Sequence, residues 1–207
     1  MVPKMIRILA VDDHPLLRKG LTAVVNAELD MKMVAEASSG EDAIEKFRMH
    51  RPDVVLMDLH MPGLNGIEAT NRILSEFPDA RIIVLTTYHG DVQVLRALRA
   101  GVRSYLLKGH DRELIEAIHA VYEGRKKIPP EIAAELAEHA TDEALSEREI
   151  DVLRLIAAGN SNKQIADRLL AAEATIKSRV TNILSKLGAS DRAHAVTIAL
   201  KRGIIEL

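Results

Sequence analysis

Cysteine is absent from these 207 residues, which removes disulfide frameworks, thiolate metal sites and cysteine nucleophiles from consideration. Tryptophan is absent too, and aromatics make up only 2% of the chain, so the core must be built from aliphatic side chains. No apolar run reaches membrane-spanning length. The opening Met1-Val2-Pro3-Lys4-Met5 lacks the apolar centre of a secretory signal, and Met5 could itself be the native start. Residence in the cytoplasm, without a membrane partner, is therefore expected. Neither sign of charge dominates. The net charge is −2, and with 47% hydrophobic and 28% charged residues the composition is that of ordinary globular domains.

What charge there is, is unevenly placed. Residues 146–207 hold ten Lys or Arg against seven Asp or Glu, whereas residues 1–145 hold 18 against 23. A basic tail on an acidic front suggests two domains with two tasks. The front alternates short apolar runs with helical patterns. Ile6–Val11, Met33–Ala37, Val54–Met57, Ile82–Leu85 and Ser104–Leu107 read as strands. Strands buried on both faces appear as apolar runs, and repeated strand–helix units imply a parallel sheet. The expectation is an α/β domain, a doubly wound five-stranded parallel sheet, over residues 5–124. Pro129-Pro130 interrupts the pattern, so residues 125–144 read as a linker with a short helix at Glu131–His139. From 145 to 207 every signal is helical, giving a small all-α domain.

In an open parallel sheet, chemistry sits beyond the carboxyl ends of the strands. Asp12 and Asp13 follow the first strand, Asp58 ends the third, Thr86 the fourth and Lys108 the fifth. A single Asp at such a place often only caps the next helix. Five polar positions on four strands point to a site instead. Three converging carboxylates repel one another and raise each other's pKa, and a hard divalent cation such as Mg2+ resolves that conflict. The same set suits phosphoryl transfer: a carboxylate nucleophile, with the cation and Lys108 on phosphoryl oxygens and the Thr86 hydroxyl as a further donor. Asp58 is the expected nucleophile, because it stands alone on a central strand before the open turn Met61-Pro62-Gly63.

The stretches Val11-Asp12-Asp13-His14, Val55–Gly66 with Met57-Asp58-Leu59-His60-Met61-Pro62-Gly63 within it, Val84-Leu85-Thr86-Thr87-Tyr88 and Tyr105-Leu106-Leu107-Lys108 resemble response-regulator receiver domains, which have a flavodoxin-like fold. The resemblance implies that Asp58 accepts a phosphoryl group from a sensor histidine kinase or a small phosphodonor. It also implies that the domain catalyses that transfer itself, and often the hydrolysis of its own phosphate, without being an enzyme otherwise. Asp13 and Asp58 would bind Mg2+ directly, Asp12 mostly through water, and the His60 carbonyl would complete the protein ligands. Thr86 and Tyr105 would be the switch pair, the hydroxyl moving to the phosphoryl group as the ring packs inward. His60 and Tyr88 occupy positions that tune phosphate lifetime in the family. One departure is Gly109, where receivers often carry proline, which predicts a freer loop. A haloacid-dehalogenase-like phosphatase also forms an aspartyl phosphate, but its second Asp, two residues on, is His60 here, and no room remains for a cap domain.

In the tail, Ser146-Glu147-Arg148-Glu149 reads as a capping box, and Gly159 as the end of that helix. A second helix starts at Ser161-Asn162-Lys163-Gln164, a third covers Glu173–Leu187 up to Gly188, and a fourth runs from Ser190 to Arg202. Short helices with tight turns suggest a helix-turn-helix. The polar face of the third helix carries Thr175, Lys177, Ser178, Thr181, Asn182, Ser185 and Lys186, groups suited to base edges and phosphates.

Leu145-Ser146-Glu147-Arg148-Glu149, Gly159–Ala166, Thr175-Ile176-Lys177, Ile183–Leu187 and Asp191-Arg192-Ala193 resemble LuxR-type DNA-binding domains. Together with the front domain the chain is similar to the NarL/FixJ class of response regulators. The resemblance implies a transcription regulator that binds duplex DNA in the major groove, on an inverted repeat, as a homodimer formed on activation, with RNA polymerase as a further partner. Lys177, Ser178 and Thr181 would face the groove, and Asn162, Lys163 and Lys186 the phosphates. The last helix, with Ala195, Val196 and Ala199, would form the dimer contact. Two departures stand out. Ala171-Ala172-Glu173 replaces the usual Ile-Ser-Glu, losing an apolar anchor and a serine cap. This predicts a less stable domain, with packing from Leu170 as compensation. It also leaves open a module whose helix-turn-helix contacts protein instead of DNA. Arg179 replaces a frequent histidine and adds a cation near the groove.

Overall fold

A computed structural model describes residues 5–87, 90–109, 111–139 and 142–205. The chain runs β1 (Ile6–Val11), α1 (Pro15–Ala27), β2 (Met31–Ala37), α2 (Gly40–His50), β3 (Val54–Asp58), α3 (Gly66–Glu76), β4 (Ile82–Thr86), α4 (Asp91–Ala100), β5 (Ser104–Leu107) and α5 (Asp111–Tyr122). α6 (Pro130–Glu138), α7 (Glu147–Ala157), α8 (Asn162–Arg168), α9 (Glu173–Leu187) and α10 (Arg192–Lys201) follow. It falls into two compact units, residues 1–88 with 94–133 and residues 89–93 with 134–207. No helix among the described residues is long and apolar enough to cross a membrane.

The five strands form one sheet in the order β2-β1-β3-β4-β5, every pairing parallel. Both faces are covered. Ile6, Ile8, Val54, Leu56, Ile83 and Leu85 pack with Val25 of α1 and with Leu114, Ala117, Ile118 and Val121 of α5. The alternate residues Leu9, Val11, Val55, Met57, Ile82 and Val84 are equally buried and point to the opposite face. This two-sided burial is why the strands read as unbroken apolar runs. The strand order reverses at β1, whose neighbours are β2 and β3. That reversal opens a crevice at the carboxyl ends of β1 and β3, where ligands bind in such sheets. β2 starts at Met31, two residues before the expected Met33, because Ile6 and Arg7 pair with Met31 and Lys32 before a register shift. Beyond α5, the Ser104 hydroxyl donates to the Lys127 carbonyl, so the chain keeps to β5 past the expected boundary at 124.

The second unit is built on α7, α8, α9 and α10. Ile150, Leu153, Ile165, Ile176, Val180 and Ile183 are its aliphatic core. Ser146 and Ser161 cap α7 and α8, and each helix carries the complete reciprocal box, with Glu149 and Gln164. Gly188 closes α9 in the left-handed conformation. α10 starts at Arg192 on an Asp191 cap, two residues later than expected.

Two expectations are corrected here. Ala195 and Ala199, assigned to a dimer contact, are buried in this unit's own core. Small side chains let α10 approach its neighbours closely, so alanines that read as surface are interior. Leu170 does not compensate for Ala171 either. It is 95% exposed and sits at φ +51 in the turn, whereas Ala171 itself is half-buried against the core.

Candidate functional site

The carboxyl ends of β1 and β3 deliver the acidic residues. Asp12 follows Val11 directly, tied to β2 by its own N–H, which donates to the Ala37 carbonyl. Asp58 closes β3 in register with Leu85. Both are almost fully buried, at 1% and 3% exposure, while Asp13 stands half-buried at the mouth. One ligand atom each from Asp12, Asp13, His14 and Asp58 lie within 4.8 Å of one another. Gly66 makes room for this arrangement. A Cβ there would come within 2.0 Å of the Asp58 carbonyl oxygen, so the chain entering α3 passes too close to Asp58 for any side chain.

Lys108, directly after β5, reaches into the cluster. Its Nζ donates to Asp58 Oδ2 at 2.8 Å and stands 2.7 Å from Asp12 Oδ2. Burial opposes the Lys108 charge, but the carboxylates of Asp12 and Asp58 outweigh it and hold its pKa above the ordinary lysine value. Burial raises the Asp58 carboxyl, Lys108 draws it back down, and the net shift is upward. The His60 N–H donates weakly to Asp58 Oδ1 at 3.4 Å. Asp12 and Asp58 thus share one ammonium, with the Asp13 carboxylate beside them. Asp12 Oδ2 faces the Lys108 ammonium and Asp13 Oδ1 faces His14 Nδ1, but three carboxylates gathered round one lysine leave negative charge in excess. Oxygen donors in this arrangement fit a hard divalent cation.

Thr86 and Tyr105 complete the surroundings. Both are fully buried, Thr86 ending β4 and Tyr105 paired with Val84. The Tyr105 ring therefore already lies inside. Gly109 takes φ +96, a conformation closed to proline, whose ring holds φ near about −65°. That explains the missing proline. Tyr88 lies outside the described residues. His14 was not anticipated in the cluster, although it follows Asp12-Asp13 directly. Its Nδ1 is 2.7 Å from Asp13 Oδ1.

The second unit presents a polar helix face. On α9, Ile176, Val180 and Ile183 turn inward, leaving Thr175, Lys177, Ser178 and Thr181 exposed and Arg179 half-buried. Lys177 pairs loosely with Glu173 at 3.6 Å, and the Thr181 hydroxyl donates to the Lys177 carbonyl. On α8, Lys163 is exposed and Asn162 partly so. Lys186 is placed otherwise. Its side chain is 19% exposed, and its Nζ lies 3.1 Å from Glu149 Oε2 and 3.0 Å from Glu143 Oε1. Hydrogen bonds to Glu143 and Glu149 raise its pKa. The expected phosphate contact is thus a lysine engaged inside the unit. Its position on a polar helix face gave no sign of carboxylates that come from α7 and the segment before it.

The sequence matches two families, the one described as "Response regulator receiver domain" over residues 8–119 and the one described as "Bacterial regulatory proteins, luxR family" over 143–199. It is 40% identical to the transcriptional regulatory protein LiaR of Bacillus subtilis (strain 168), over 97% of this chain and 100% of LiaR. It is 37% identical to the response regulator protein VraR of Staphylococcus aureus (strain NCTC 8325 / PS 47), over 97% of this chain and 99% of VraR. Among solved structures, response regulator ChrA of a heme-sensing two-component system is similar, with 37% identity, 97% of this chain and 99% of ChrA covered, and a TM-score of 0.58. RcsB from Salmonella enterica serovar Typhimurium, bound to promoter P1flhDC with the phosphomimetic BeF3-, superposes with a TM-score of 0.73 at 27% identity, covering 96% of this chain and 98% of RcsB. With a buried acidic cluster at the strand ends of one unit and capped short helices in the other, the chain belongs to the two-component response regulators that join a receiver domain to a LuxR-type DNA-binding domain.

Proposed function

We propose that Asp58 accepts a phosphoryl group from a sensor histidine kinase in a Mg2+-dependent reaction, and that the aspartyl phosphate controls DNA binding by the second domain. The observation that carries this is the Asp58 carboxylate, buried at the end of β3 between Lys108 and two further aspartates. Its Oδ2 is held by Lys108 and its Oδ1 accepts the weak His60 N–H bond, so Oδ1 is the freer oxygen for attack on phosphorus. The new O–P bond forms as the P–N bond to the donor imidazole breaks, and the imidazole leaves as the neutral ring, taking the bond's electron pair and keeping the proton on its other nitrogen. Asp13, Asp58 and the His60 carbonyl would hold Mg2+ directly and Asp12 mostly through water. The ion supplies charge neutralisation at the phosphoryl oxygens. Lys108 stays beside the product, exchanging a carboxylate partner for a phosphoryl oxygen, and the Thr86 hydroxyl donates to the same group. Tyr105, already buried, keeps to the space that Thr86 leaves. Hydrolysis of the phosphate by the same site returns the domain to its starting state.

Next to this cluster, Leu16, Leu17 and Leu21 of α1 line a cavity of about 200 Å3 with Lys108 and Gly109. Leu16 is 83% exposed. An apolar strip beside the phospho-acceptor suits a helix of the kinase that carries the donor histidine. In the second domain, Thr175, Lys177, Ser178, Arg179 and Thr181 would meet the major groove, and Asn162 and Lys163 the phosphates, of an inverted repeat bound by a homodimer. Val196 and the exposed residues of α10, such as Thr197, remain for the dimer contact. RNA polymerase and the cytoplasm complete this reading.

Acetyl phosphate with Mg2+ should add one phosphoryl group to the protein, seen by intact mass. EDTA and Asp58→Ala should each prevent it. Labelling that persists in Asp58→Ala refutes the acceptor. Selection of DNA from a random pool, with and without phosphorylation, tests the output. A pool that never enriches favours the protein-binding alternative.

A further inference from the structure

We infer that Arg192 is a positioning residue for DNA binding: its guanidinium fixes the Asn162 carboxamide so that the amide donors face outward to the phosphate backbone. This rests on the proposed contact of Asn162 with DNA. Arg192 is the first residue of α10, and it spans 30 positions of sequence to reach α8. Its Nη1 donates to Asn162 Oδ1 at 3.0 Å and its Nη2 to the Asn160 carbonyl at 2.9 Å. Two acceptors are thus held by the two ends of one planar fork, which leaves little rotational freedom.

The support for that fork is itself rigid. Asn160 is buried, at 9% exposure, and both its backbone N–H and its side-chain Nδ2 donate to the Leu155 carbonyl at the end of α7. The Asn160 carbonyl is therefore a fixed point, and Arg192 is anchored on it. Asn162 is different. It is only partly buried and neighbours Lys163, which is exposed.

Hydrogen-bond chemistry decides which way the Asn162 amide points. A guanidinium carries donors and no acceptor, so the atom facing it must be the carboxamide oxygen. The NH2 group is then on the far side, and its two hydrogens are available to an acceptor. A DNA phosphate offers acceptor oxygens and no donor. Without Arg192 the carboxamide would turn freely, and half of its orientations would offer an oxygen to a phosphate. The contact is independent of base sequence, so any duplex reports it.

A double-mutant cycle in the phosphorylated full-length protein tests this, with a labelled mixed-sequence duplex at low salt as the probe. Arg192→Lys keeps the charge but loses the fork. Asn162→Ala removes the contact. Each single change should weaken DNA binding by at least about tenfold, the weight of one hydrogen bond to a charged group. In the Asn162→Ala background, Arg192→Lys should have no further effect on affinity, although any loss of melting temperature it causes should recur in full. Such non-additivity in affinity alone is what a purely structural role would not produce. Three results would overturn the inference. A loss from Arg192→Lys that is undiminished when Asn162 is Ala shows that Arg192 acts by itself. An Arg192→Lys protein of unchanged affinity, with Asn162→Ala weakened, shows that the fork is irrelevant. No loss from Asn162→Ala shows instead that Asn162 does not touch DNA, so the underlying contact fails first.

Discussion

Replacing Ala172 by Ser should stabilise the second domain measurably. Three helices of this domain start in nearly the same backbone conformation. Ser146 before α7 has φ −70 and ψ 159, Ser161 before α8 has −72 and 162, and Ala172 before α9 has −72 and 142. The two serines accept the N–H three residues on, at 3.4 Å each. Ala172 has no side-chain acceptor, so the first turn of α9 lacks the bond that α7 and α8 have. Ala172 is exposed, and a hydroxyl there has no burial cost. A serine cap is worth about 1 kcal/mol relative to alanine, within roughly 0.5 to 2. In a domain of this size, about 1 kcal/mol moves the midpoint by roughly 4 to 8 °C. Calorimetry of the full chain should show one transition rising by that amount in Ala172→Ser. Ser161→Ala should lower the same transition comparably, which identifies it. If Ser161→Ala lowers a transition and Ala172→Ser moves none by more than about 1 °C, the reasoning is refuted: α9 would then be held by its core contacts and indifferent to its cap.

The remaining predictions concern other elements. Gly66→Ala places a Cβ against the Asp58 carbonyl, 2.0 Å away before any shift. Phosphoryl uptake from acetyl phosphate should fall at least about tenfold, the cost of a catalytic group displaced by about 1 Å; uptake at the wild-type rate would show that the loop yields instead. Leu170 holds φ +51 while 95% exposed, so Leu170→Asn should relieve about 1 kcal/mol of strain without losing packing, read as a higher urea midpoint. Glu149 is buried, which would raise its pKa, but the Ser146 N–H and hydroxyl and the Lys186 ammonium hold it below the ordinary 4.5. Its folded pKa is depressed, so its stabilising contribution is full above 4.5 and is lost as pH falls through the lower folded value. The stability gap between wild type and Glu149→Gln should therefore narrow below pH 4.5, and a constant gap down to acid unfolding would contradict the assignment.

Much of this fold was legible because local pattern and burial agree. A parallel sheet covered on both faces leaves no polar alternation, so Val54–Met57 and Ile82–Leu85 could only be central strands. The cluster was legible for the same reason. Strand ends on one side of the sheet are neighbours in space, so Asp12, Asp58 and Lys108 had to converge whatever the loops did. What escaped depends on contacts between distant positions. Asn162 and Arg192 are both polar residues at helix starts, and nothing local says that they meet. Ala195 and Ala199 are too small to set a hydrophobic period, and only the close approach of α10 buries them. Leu170 reads as an apolar anchor, but Ala171 takes the half-buried place and the backbone turns Leu170 outward.

Lys108 and Lys186 are two lysines with similar partners and different surroundings. Each sits between two carboxylates. For Lys108, the proposed phosphorylation of Asp58 would replace one negative partner by another, so the lysine would keep a full complement of charge in both states. It can stabilise the reaction without leaving its place. For Lys186, a DNA phosphate would have to compete with Glu149, which is only 8% exposed. Removing the ammonium leaves that carboxylate buried with its Ser146 bonds alone. Losing that pair strands a carboxylate shielded from water, whereas a new ion pair with an exposed phosphate is weakened by solvent. The balance keeps Lys186 on Glu149, joining the start of α7 to the end of α9. The cations that the proposed function gives to DNA are then Lys163, Lys177 and Arg179, while α9 is held at its far end by Lys186, the lysine that its sequence offers as a phosphate contact.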